Sequence, residues 1–211
     1  MRSLAATEGG GTLVTPREWL ERPGTVGRAW PTSEVRVEDD DGNPCPPGVP
    51  GTVWMGLGQA DFEYHRDAEK TRAGRHGRFF TVGDVGYLDE AGYLFLCDRK
   101  ADMIISGGVN IYPAEVESAL FGHPKVGDAA VFGIPDADWG EQVKAVVEPA
   151  AGTVAGPELE RELIEFCRGR LAGYKCPRSV DFVEAMPREP TGKLLKRRLR
   201  DPYWAAERRA I

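Results

Sequence analysis

Lys193 is the side chain best placed to do chemistry, because it follows a Thr-Gly pair at residues 191–192. Such a turn presents the lysine at its exit, where a mobile point cation can meet negative charge developing on a phosphate or carboxylate. The GxxxxGK[ST] pattern of a phosphate-binding P-loop occurs nowhere in the chain. A surface turn that carries glycine and charge explains the same residues. The motif alone leaves both interpretations open.

Two acidic positions could bind parts of a nucleotide. Asp84 follows Gly83, and its carboxylate could accept hydrogen bonds from a pair of ribose hydroxyls. A solvated aspartate in a turn is the simpler explanation. Thr7 and Glu8 place a hydroxyl and a carboxylate on one glycine-rich segment, a combination that could hold a phosphate and a magnesium ion. Each of these signals is weak by itself.

Gly107 and Gly108 form the third candidate, between a short apolar strand predicted over residues 103–105 and a helix that begins at Pro113. Two adjacent glycines let a ligand approach the backbone closely. A strand-to-helix loop with a left-handed glycine accounts for the pair equally well.

The first hundred residues, which carry Asp84, read as short strands and turns. Residues 34–38 alternate apolar and polar side chains as a half-buried strand does, and residues 51–55 predict another strand. An Asp-Glu-Ala-Gly turn separates residues 85–88 from residues 93–96, which predicts a β-hairpin.

The pattern changes at residues 98–102, beyond which strands and helices alternate. Strands are predicted over 129–134, 142–147 and 180–183, and helices from Pro113, from Pro157 and over 194–200. The change predicts a boundary between a β-leaning segment and a compact α+β domain of ordinary size.

Composition narrows the function classes. With 211 residues the chain has room for one domain or two small ones, and 27 basic against 33 acidic side chains give a net charge of −6, which disfavours nucleic-acid binding. The 26 glycines and 16 prolines argue against a helical bundle.

Four scattered cysteines without metal-ligand spacing predict reduced thiols. No apolar run approaches the ~18 residues of a transmembrane segment, and no signal peptide is recognisable, so we expect a cytoplasmic protein.

Four segments in a fixed order resemble the carboxyl-terminal motifs of the adenylate-forming (AMP-dependent) synthetases. They are GDVGYLDEAGYL at 83–94, DRKADMI at 98–104, GGVNIYPAEVE at 107–117 and PREPTGK at 187–193. The loop SGGVNIYP is similar to that of the acyl-CoA synthetase and fatty-acid–CoA ligase branch. The resemblance implies an α+β fold: a β-rich end of the family's large AMP-binding domain over 1–98, a hinge over 99–101, and the small mobile C-terminal domain over 102–211.

The resemblance also implies a ligase reaction in two steps. A carboxylate attacks the α-phosphate of ATP to give an acyl-adenylate and pyrophosphate, and the thiol of CoA then displaces AMP. By position, Lys193 resembles the lysine that bridges the carboxylate and the α-phosphate. Asp84 and Arg99 resemble the ribose-binding aspartate and its supporting arginine, and Thr7 and Glu8 the pair that holds Mg²⁺, with Glu8 as the metal ligand.

Further positions are implied for the hinge and for CoA. Lys100 and Ala101 lie at the hinge, where Ala101 replaces the family's usual Asp or Lys. Movement there would withdraw Lys193 and bring the Gly107–Gly108 loop to the pantetheine tunnel. The positions that some members use against CoA correspond to Trp139, Tyr174 and Arg178, while Cys176 stands where some carry a basic residue.

ATP or AMP, CoA and a carboxylic acid are therefore the implied partners. A fatty acid is favoured, with aryl, bile-acid-like and steroid side-chain acids as alternatives. Few residues precede Thr7, whereas the family's Thr-Glu pair lies inside a large domain, so we expect the rest of the active site on a missing amino-terminal half. The alternative is a non-catalytic module that binds nucleotide, CoA or nothing. We also expect residues 1–98 to be poorly stable in isolation.

Overall fold

The computed structural model describes residues 2–5, 9–57 and 63–208. The chain divides into two compact units, Met1–Ala101 and Asp102–Ile211. Each unit is built on β-sheet with few helices, so the predicted α+β fold is confirmed. All four cysteines are free, as predicted. Within the described ranges, no helix has the length and apolar character needed to cross a membrane.

The first unit contains two antiparallel sheets over its described residues. The smaller sheet consists, in order, of β1 (Arg2–Ala5), β2 (Gly11–Val14) and β3 (Arg28–Ala29). The larger sheet consists of β4 (Ser33–Glu38), β5 (Gly51–Leu57), β6 (Arg75–His76), β7 (Phe79–Phe80), β8 (Asp84–Leu88) and β9 (Leu94–Arg99). Its order is β6-β7-β5-β8-β9, with β4 paired to β5. Helices α1 (Pro16–Glu21) and α2 (Ala68–Ala73) are short.

The predicted hairpin is present as β8 and β9. Its turn is closed by Asp89, whose carboxylate accepts hydrogen bonds from the backbone N–H groups of Ala91 at 2.9 Å and Tyr93 at 2.8 Å. Gly92 completes the turn with a φ of +77°, a value that favours glycine. The register that results places Asp84 directly opposite Arg99 at the far end of the hairpin.

Helix α1 corrects the expectation that the first hundred residues contain only strands and turns. Thr15 caps its amino terminus: the Thr15 hydroxyl accepts from the backbone N–H of Glu18 at 3.3 Å, and the Glu18 carboxylate accepts from the backbone N–H of Thr15 at 2.9 Å. This reciprocal capping box, with a proline in the first turn, was readable as the Thr-Pro-Arg-Glu sequence.

The second unit has one sheet between two layers of helices. Its strands are β10 (Ile104–Ser106), β11 (Val109–Ile111), β12 (Val126–Asp136), β13 (Gly140–Pro149) and β14 (Ser179–Phe182). Their order is β11-β10-β13-β12, and β14 pairs in parallel with β13. Its helices are α3 (Pro113–Phe121), α4 (Pro157–Arg168) and α5 (Lys196–Arg208), with a 3₁₀ turn over Gly173–Lys175.

The long strand β12 explains why this sheet is covered on both faces. Its side chains alternate: Ala129 and Val131 pack into the core formed with α3 and α4, whereas Ala130 and Phe132 pack on the opposite face with residues of α5. A strand buried on both faces reads as a continuous apolar run, which is how residues 129–134 read.

The two units differ in the size of their cores, and this predicts a difference in hydrogen exchange. Among the described residues, the larger sheet of the first unit packs around a cluster of five buried residues, whereas the α3–α4 face of the second unit has a cluster of fourteen. Because protection follows local burial, we expect amides of β12 and β13 to exchange at least about tenfold more slowly than those of β4 and β5. Mass-spectrometric exchange of the intact chain measures this, and equally strong protection in both units would contradict it.

Candidate active site

Asp84 begins β8 with a buried carboxylate, its side chain being only 12% exposed. The nearest cation is Arg99, whose Nε lies 3.7 Å from Asp84 Oδ1 across the hairpin. Burial raises the pKa of Asp84, and the Arg99 charge opposes that rise. Among the described residues no group donates a hydrogen bond to this carboxylate. Its acceptor positions are therefore available to a ligand, as a pair of ribose hydroxyls requires.

The burial of Asp84 predicts that this residue costs the fold stability at neutral pH. A carboxyl whose pKa is higher in the folded than in the unfolded chain favours the fold at low pH, and this contribution is lost as pH rises through the folded pKa. We therefore expect Asp84→Asn to raise the Tm at pH 7 by a few degrees, and the gain to vanish below about pH 4, where the unfolded carboxyl is protonated.

Thermal unfolding of the full chain between pH 3 and pH 8 measures this effect. Asp41→Asn is the matched control, because Asp41 is an exposed residue of the turn after β4. An equal gain in both variants, or a loss of stability in Asp84→Asn at pH 7, would refute the explanation.

Lys100 is tied to the sheet of the first unit. Its backbone N–H donates to Gly83 O at 2.7 Å, and its Nζ lies 2.6 Å from Asp40 Oδ1. Ala101, which is exposed, is the last residue before the boundary between the units. Lys100 is therefore bonded to the first unit, and the second unit begins two residues later, at Asp102.

Gly107 and Gly108 lie in a β-hairpin, so the expectation of a simple strand-to-helix loop is wrong. They connect β10 to β11, and Ser106 pairs directly with Val109. Both glycines have positive φ, +58° and +78°, as a two-residue turn of type I′ requires. The signal for β11 was the Gly-Gly pair itself, because two-residue glycine turns favour hairpins.

Trp139 packs on Gly107 and explains why that position is glycine. The Gly107 N–H donates to Trp139 O at 2.8 Å, and a Cβ built on Gly107 would lie 2.3 Å from Trp139 Cε3. A side chain there would collide with the ring. Trp139 remains 51% exposed, so its indole forms an apolar wall beside the turn.

Asp136 joins Arg178 to the Trp139 turn. Its Oδ1 accepts the backbone N–H groups of Asp138 and Trp139, each at 3.0 Å, and its Oδ2 lies 3.2 Å from Arg178 Nη1. The Arg178 guanidinium carbon lies 5.8 Å from the centroid of the Trp139 ring. The structure thus brings together Gly107, Trp139 and Arg178. Sequence reasoning missed Asp136, although aspartates that accept N–H groups two and three residues on are typical of turns.

Tyr174 lies on the 3₁₀ turn that leads towards Arg178, with its side chain 57% exposed. The turn is fastened by Lys175, whose Nζ binds the two carboxylate oxygens of Glu115 at 2.8 and 2.7 Å. Cys176, the next residue, is buried in the core. It makes a packing contact where a basic residue would have offered a charge.

Lys193 extends from a turn anchored at the other end of the sheet. Gly192 has a φ of +86°, and the backbone N–H of Glu189 donates to Lys193 O at 2.9 Å. Arg188 holds the turn by donating to Gly192 O at 2.7 Å and by pairing with Asp128 near the start of β12. Lys193 is exposed, and no carboxylate of the described residues pairs with its ammonium group.

The Lys193 turn and the Gly107 turn are anchored at opposite ends of one β-hairpin, β12–β13. Asp128, which anchors the Lys193 turn, and Asp136, which anchors the Gly107–Trp139 cluster, are eight residues apart in β12. At the ~3.3 Å rise per residue of a strand this is about 26 Å. One small reacting group therefore cannot contact both turns at the same time.

Thr7 and Glu8, the candidate magnesium residues, lie outside the described residues. Within the described part of the chain, no group of three or more His, Cys, Asp or Glu side chains is arranged to hold a metal ion.

Comparison with known proteins identifies the family. Residues 115–193 match the AMP-binding enzyme C-terminal domain. Over 207 residues the chain is 43% identical to the long-chain-fatty-acid–CoA ligase FadD13 of Mycobacterium tuberculosis, a match that covers 97% of this chain and 40% of that protein. The chain carries the AMP-binding enzyme C-terminal domain and is similar to part of the acyl-CoA ligases. The assignment made from the four sequence motifs is confirmed.

Other adenylate-forming synthetases show the same pattern of coverage. The fatty acid–[acyl-carrier-protein] ligase ScoC of Streptomyces coeruleorubidus is 38% identical over 210 residues, covering 97% of this chain and 40% of ScoC. The solved o-succinylbenzoate CoA synthetase MenE of Bacillus subtilis, in complex with the acyl-adenylate OSB-AMP, superposes with a TM-score of 0.80 at 34% identity. That match covers 89% of this chain and 38% of MenE. The chain thus spans about 40% of the length of the curated relatives it matches.

Proposed function

We propose that this chain provides the ribose-binding, lysine-bearing and thiol-guiding parts of an AMP-forming acid–CoA ligase, with a fatty acid as substrate. One observation carries the proposal: a lysine that pairs with no carboxylate of the described residues and a glycine turn walled by tryptophan are anchored at Asp128 and Asp136, about 26 Å apart along β12. A reaction in two steps needs one site that stabilises charge during activation of the acid and a second site that admits the thiol. The name of FadD13 supports a fatty acid, and aryl, bile-acid-like and steroid side-chain acids are the alternatives.

In the first step the acid is activated on ATP. Asp84, supported by Arg99, accepts the hydrogen bonds of the ribose hydroxyls and fixes the nucleotide. The Lys193 ammonium donates to a carboxylate oxygen of the acid and to an α-phosphate oxygen, which offsets their repulsion. The bond from carboxylate oxygen to phosphorus forms, and pyrophosphate leaves with the electrons of the bond that breaks. Mg²⁺ held by Thr7 and Glu8 would neutralise phosphate charge, an assignment that rests on the motif resemblance.

In the second step the thiol of CoA replaces AMP. The sulfur bonds to the acyl carbon, the bond from that carbon to the phosphate oxygen breaks, and the thiol proton passes to solvent. The side-chain-free Gly107–Gly108 turn lets the pantetheine arm pass close to the backbone beside Trp139. We assign Arg178 to a CoA phosphate and the ring of Tyr174 to the adenine of CoA.

Because the anchors of the two turns lie about 26 Å apart along β12, we propose that the second unit presents its two ends in turn. Lys100 is anchored by Asp40 and Gly83, so we assign the pivot to the bond after it, at Ala101. An alanine suffices there because a hinge needs only backbone freedom.

A chimera tests the proposed function. The part of FadD13 that this chain does not match is joined to this chain, and both activities are measured with a panel of fatty, aryl and steroid side-chain acids. Exchange of pyrophosphate into ATP reports the first step, and loss of free CoA thiol reports the second. We expect both activities with fatty acids in the chimera and neither in the chain alone.

Two outcomes would overturn the proposal. Turnover by the chain alone would show that it needs no further part. A folded chimera that exchanges no pyrophosphate with any acid, together with AMP or CoA binding by the chain alone, would favour a non-catalytic binding module.

A further inference from the structure

Helix α5 carries a basic face for which the proposed reaction has no use. Four of the five residues from Lys196 to Arg200 are basic, in a chain whose net charge is −6. Lys196 is paired with Glu117 at 2.7 Å. Arg197 and Arg198 are exposed and pair with no carboxylate of the described residues. Positive charge is therefore concentrated, and partly uncompensated, on this helix.

A cavity lies along one side of α5. The described residues that line it are spaced along one helix face and are Arg197, Arg200, Asp201, Trp204 and Ala205. The Trp204 ring is held in place because its Nε1–H donates to Gly133 O at 3.1 Å. The cavity therefore combines a fixed apolar wall with two guanidinium groups.

The guanidinium groups of this cavity are available to a ligand. The carboxylate nearest to Arg200 belongs to Asp201, and its Oδ1 is 3.9 Å from Arg200 Nε, beyond hydrogen-bond distance. Asp201 is 65% exposed, so water screens its charge, whereas the Arg200 side chain is only 31% exposed. The lining keeps a net positive charge beside a partly desolvated arginine.

We propose that this cavity binds an oligophosphate group, either as free pyrophosphate or as part of a nucleotide. Guanidinium is the side chain that matches phosphate oxygens in a bidentate fork, and two forks suit two linked phosphates. Burial against Trp204 strengthens such bonds by excluding water. A carboxylate ligand has too few oxygens to occupy both forks.

The cavity is distinct from the place of Lys193. Lys193 is not among the described residues that line the cavity, although Arg197 follows it by only four residues. The Lys193 turn is held by Arg188 and Asp128, whereas Trp204 is held at Gly133. Removing the Lys193 ammonium should therefore leave oligophosphate binding at the cavity intact.

Binding can be followed by NMR from the chemical shift of the Trp204 indole N–H in the full chain. The sequence contains five tryptophans, and loss of one signal in Trp204→Phe assigns it. We expect a saturable shift of this resonance with pyrophosphate and with ATP, but not with AMP at equal ionic strength. In Arg197→Gln/Arg200→Gln we expect the Kd to rise at least about tenfold, because the charged hydrogen bonds to the phosphate oxygens are lost.

Two control variants separate specific binding from other effects. Arg161→Gln removes an exposed arginine of α4 whose Nε donates only to Pro157 O, and Lys193→Ala removes the proposed catalytic lysine. Both should retain the wild-type Kd. If Trp204→Phe does not fold, calorimetric titration of the arginine variants gives the same comparison.

Three results would overturn the proposal. The first is a shift of the Trp204 resonance that does not saturate. The second is an unchanged Kd in the double arginine variant, provided that its other indole signals show a native fold. The third is loss of binding in Lys193→Ala. A shift with acidic peptide or anionic lipid vesicles but not with pyrophosphate would also reject the oligophosphate and indicate a macromolecular partner.

Discussion

Lys193→Ala in the chimera with FadD13 should lower the rate of adenylation by roughly 100- to 1,000-fold, or ~2.7–4 kcal/mol of transition-state stabilisation. The Lys193 ammonium pairs with no carboxylate among the described residues, and its turn is fixed by Gly192 and Arg188. Its positive charge is thus held ready for the phosphate and carboxylate oxygens. Pyrophosphate exchange into ATP measures the loss.

The second half-reaction provides the internal control for Lys193. When preformed acyl-adenylate is supplied, Lys193→Ala should transfer the acyl group to CoA at close to the wild-type rate, because the Gly107 turn is anchored at Asp136, about 26 Å along β12 from the Asp128 anchor of the Lys193 turn. Lys125→Ala is the matched variant, since Lys125 is an exposed lysine paired with Glu162 at 2.7 Å. It should leave both steps unchanged. Equal losses in both steps for Lys193→Ala would exclude a role confined to activation.

Gly107→Ala should have the opposite profile, slowing thioester formation by roughly 10- to 100-fold while pyrophosphate exchange continues. A Cβ at this position would lie 2.3 Å from Trp139 Cε3, so the indole must leave the turn or the turn must move. Either change misplaces the wall beside which the pantetheine arm is proposed to pass. Consumption of CoA thiol by the chimera, with acyl-adenylate supplied, measures the effect.

Gly108 offers a closely matched comparison. Its φ of +78° strains an alanine much as the +58° of Gly107 does, but a Cβ on Gly108 would have nothing within 4 Å. Gly108→Ala should therefore cost far less than Gly107→Ala, and Trp139→Ala should remove most of the added cost of Gly107→Ala. Equal effects of the two glycine substitutions would show that backbone strain, and not the Trp139 contact, governs the thiol step.

The elements read correctly from the sequence are those with a strong local signal. Pro113 and Pro157 start α3 and α4 as predicted, and the apolar runs became β12 and β13. The sequence predicts a terminal helix over 194–200. In the structure this helix runs over Lys196–Arg208 and includes Pro202. A proline normally ends a helix. Here Tyr203 and Trp204 pack on the sheet, and that tertiary contact outweighs the local preference.

In the candidate site, too, the sequence identified the residues that lie in local motifs and missed those that act through partners far away in the sequence. Lys193, Asp84 and the glycine pair lie in recognisable turns, so their residue types and spacing identify them. Asp136 and Glu141 escaped notice because their function depends on distant partners: Glu141 accepts the backbone N–H of Ile105 at 3.0 Å, and Asp136 binds Arg178. One sequence without its fold does not reveal which side chains support a neighbouring loop.

The length of β12 has a consequence for how such a ligase can change its acceptor. Substitutions this far apart that share no partner combine additively. Under the proposed function, we therefore expect that the end bearing Trp139 and Arg178 can be altered to suit a different thiol carrier without disturbing activation at Lys193. Relatives of the chain are named for transfer both to CoA and to an acyl-carrier protein. In the proposed ligase, one long hairpin would thus allow the choice of thiol acceptor to evolve independently of the activation of the acid.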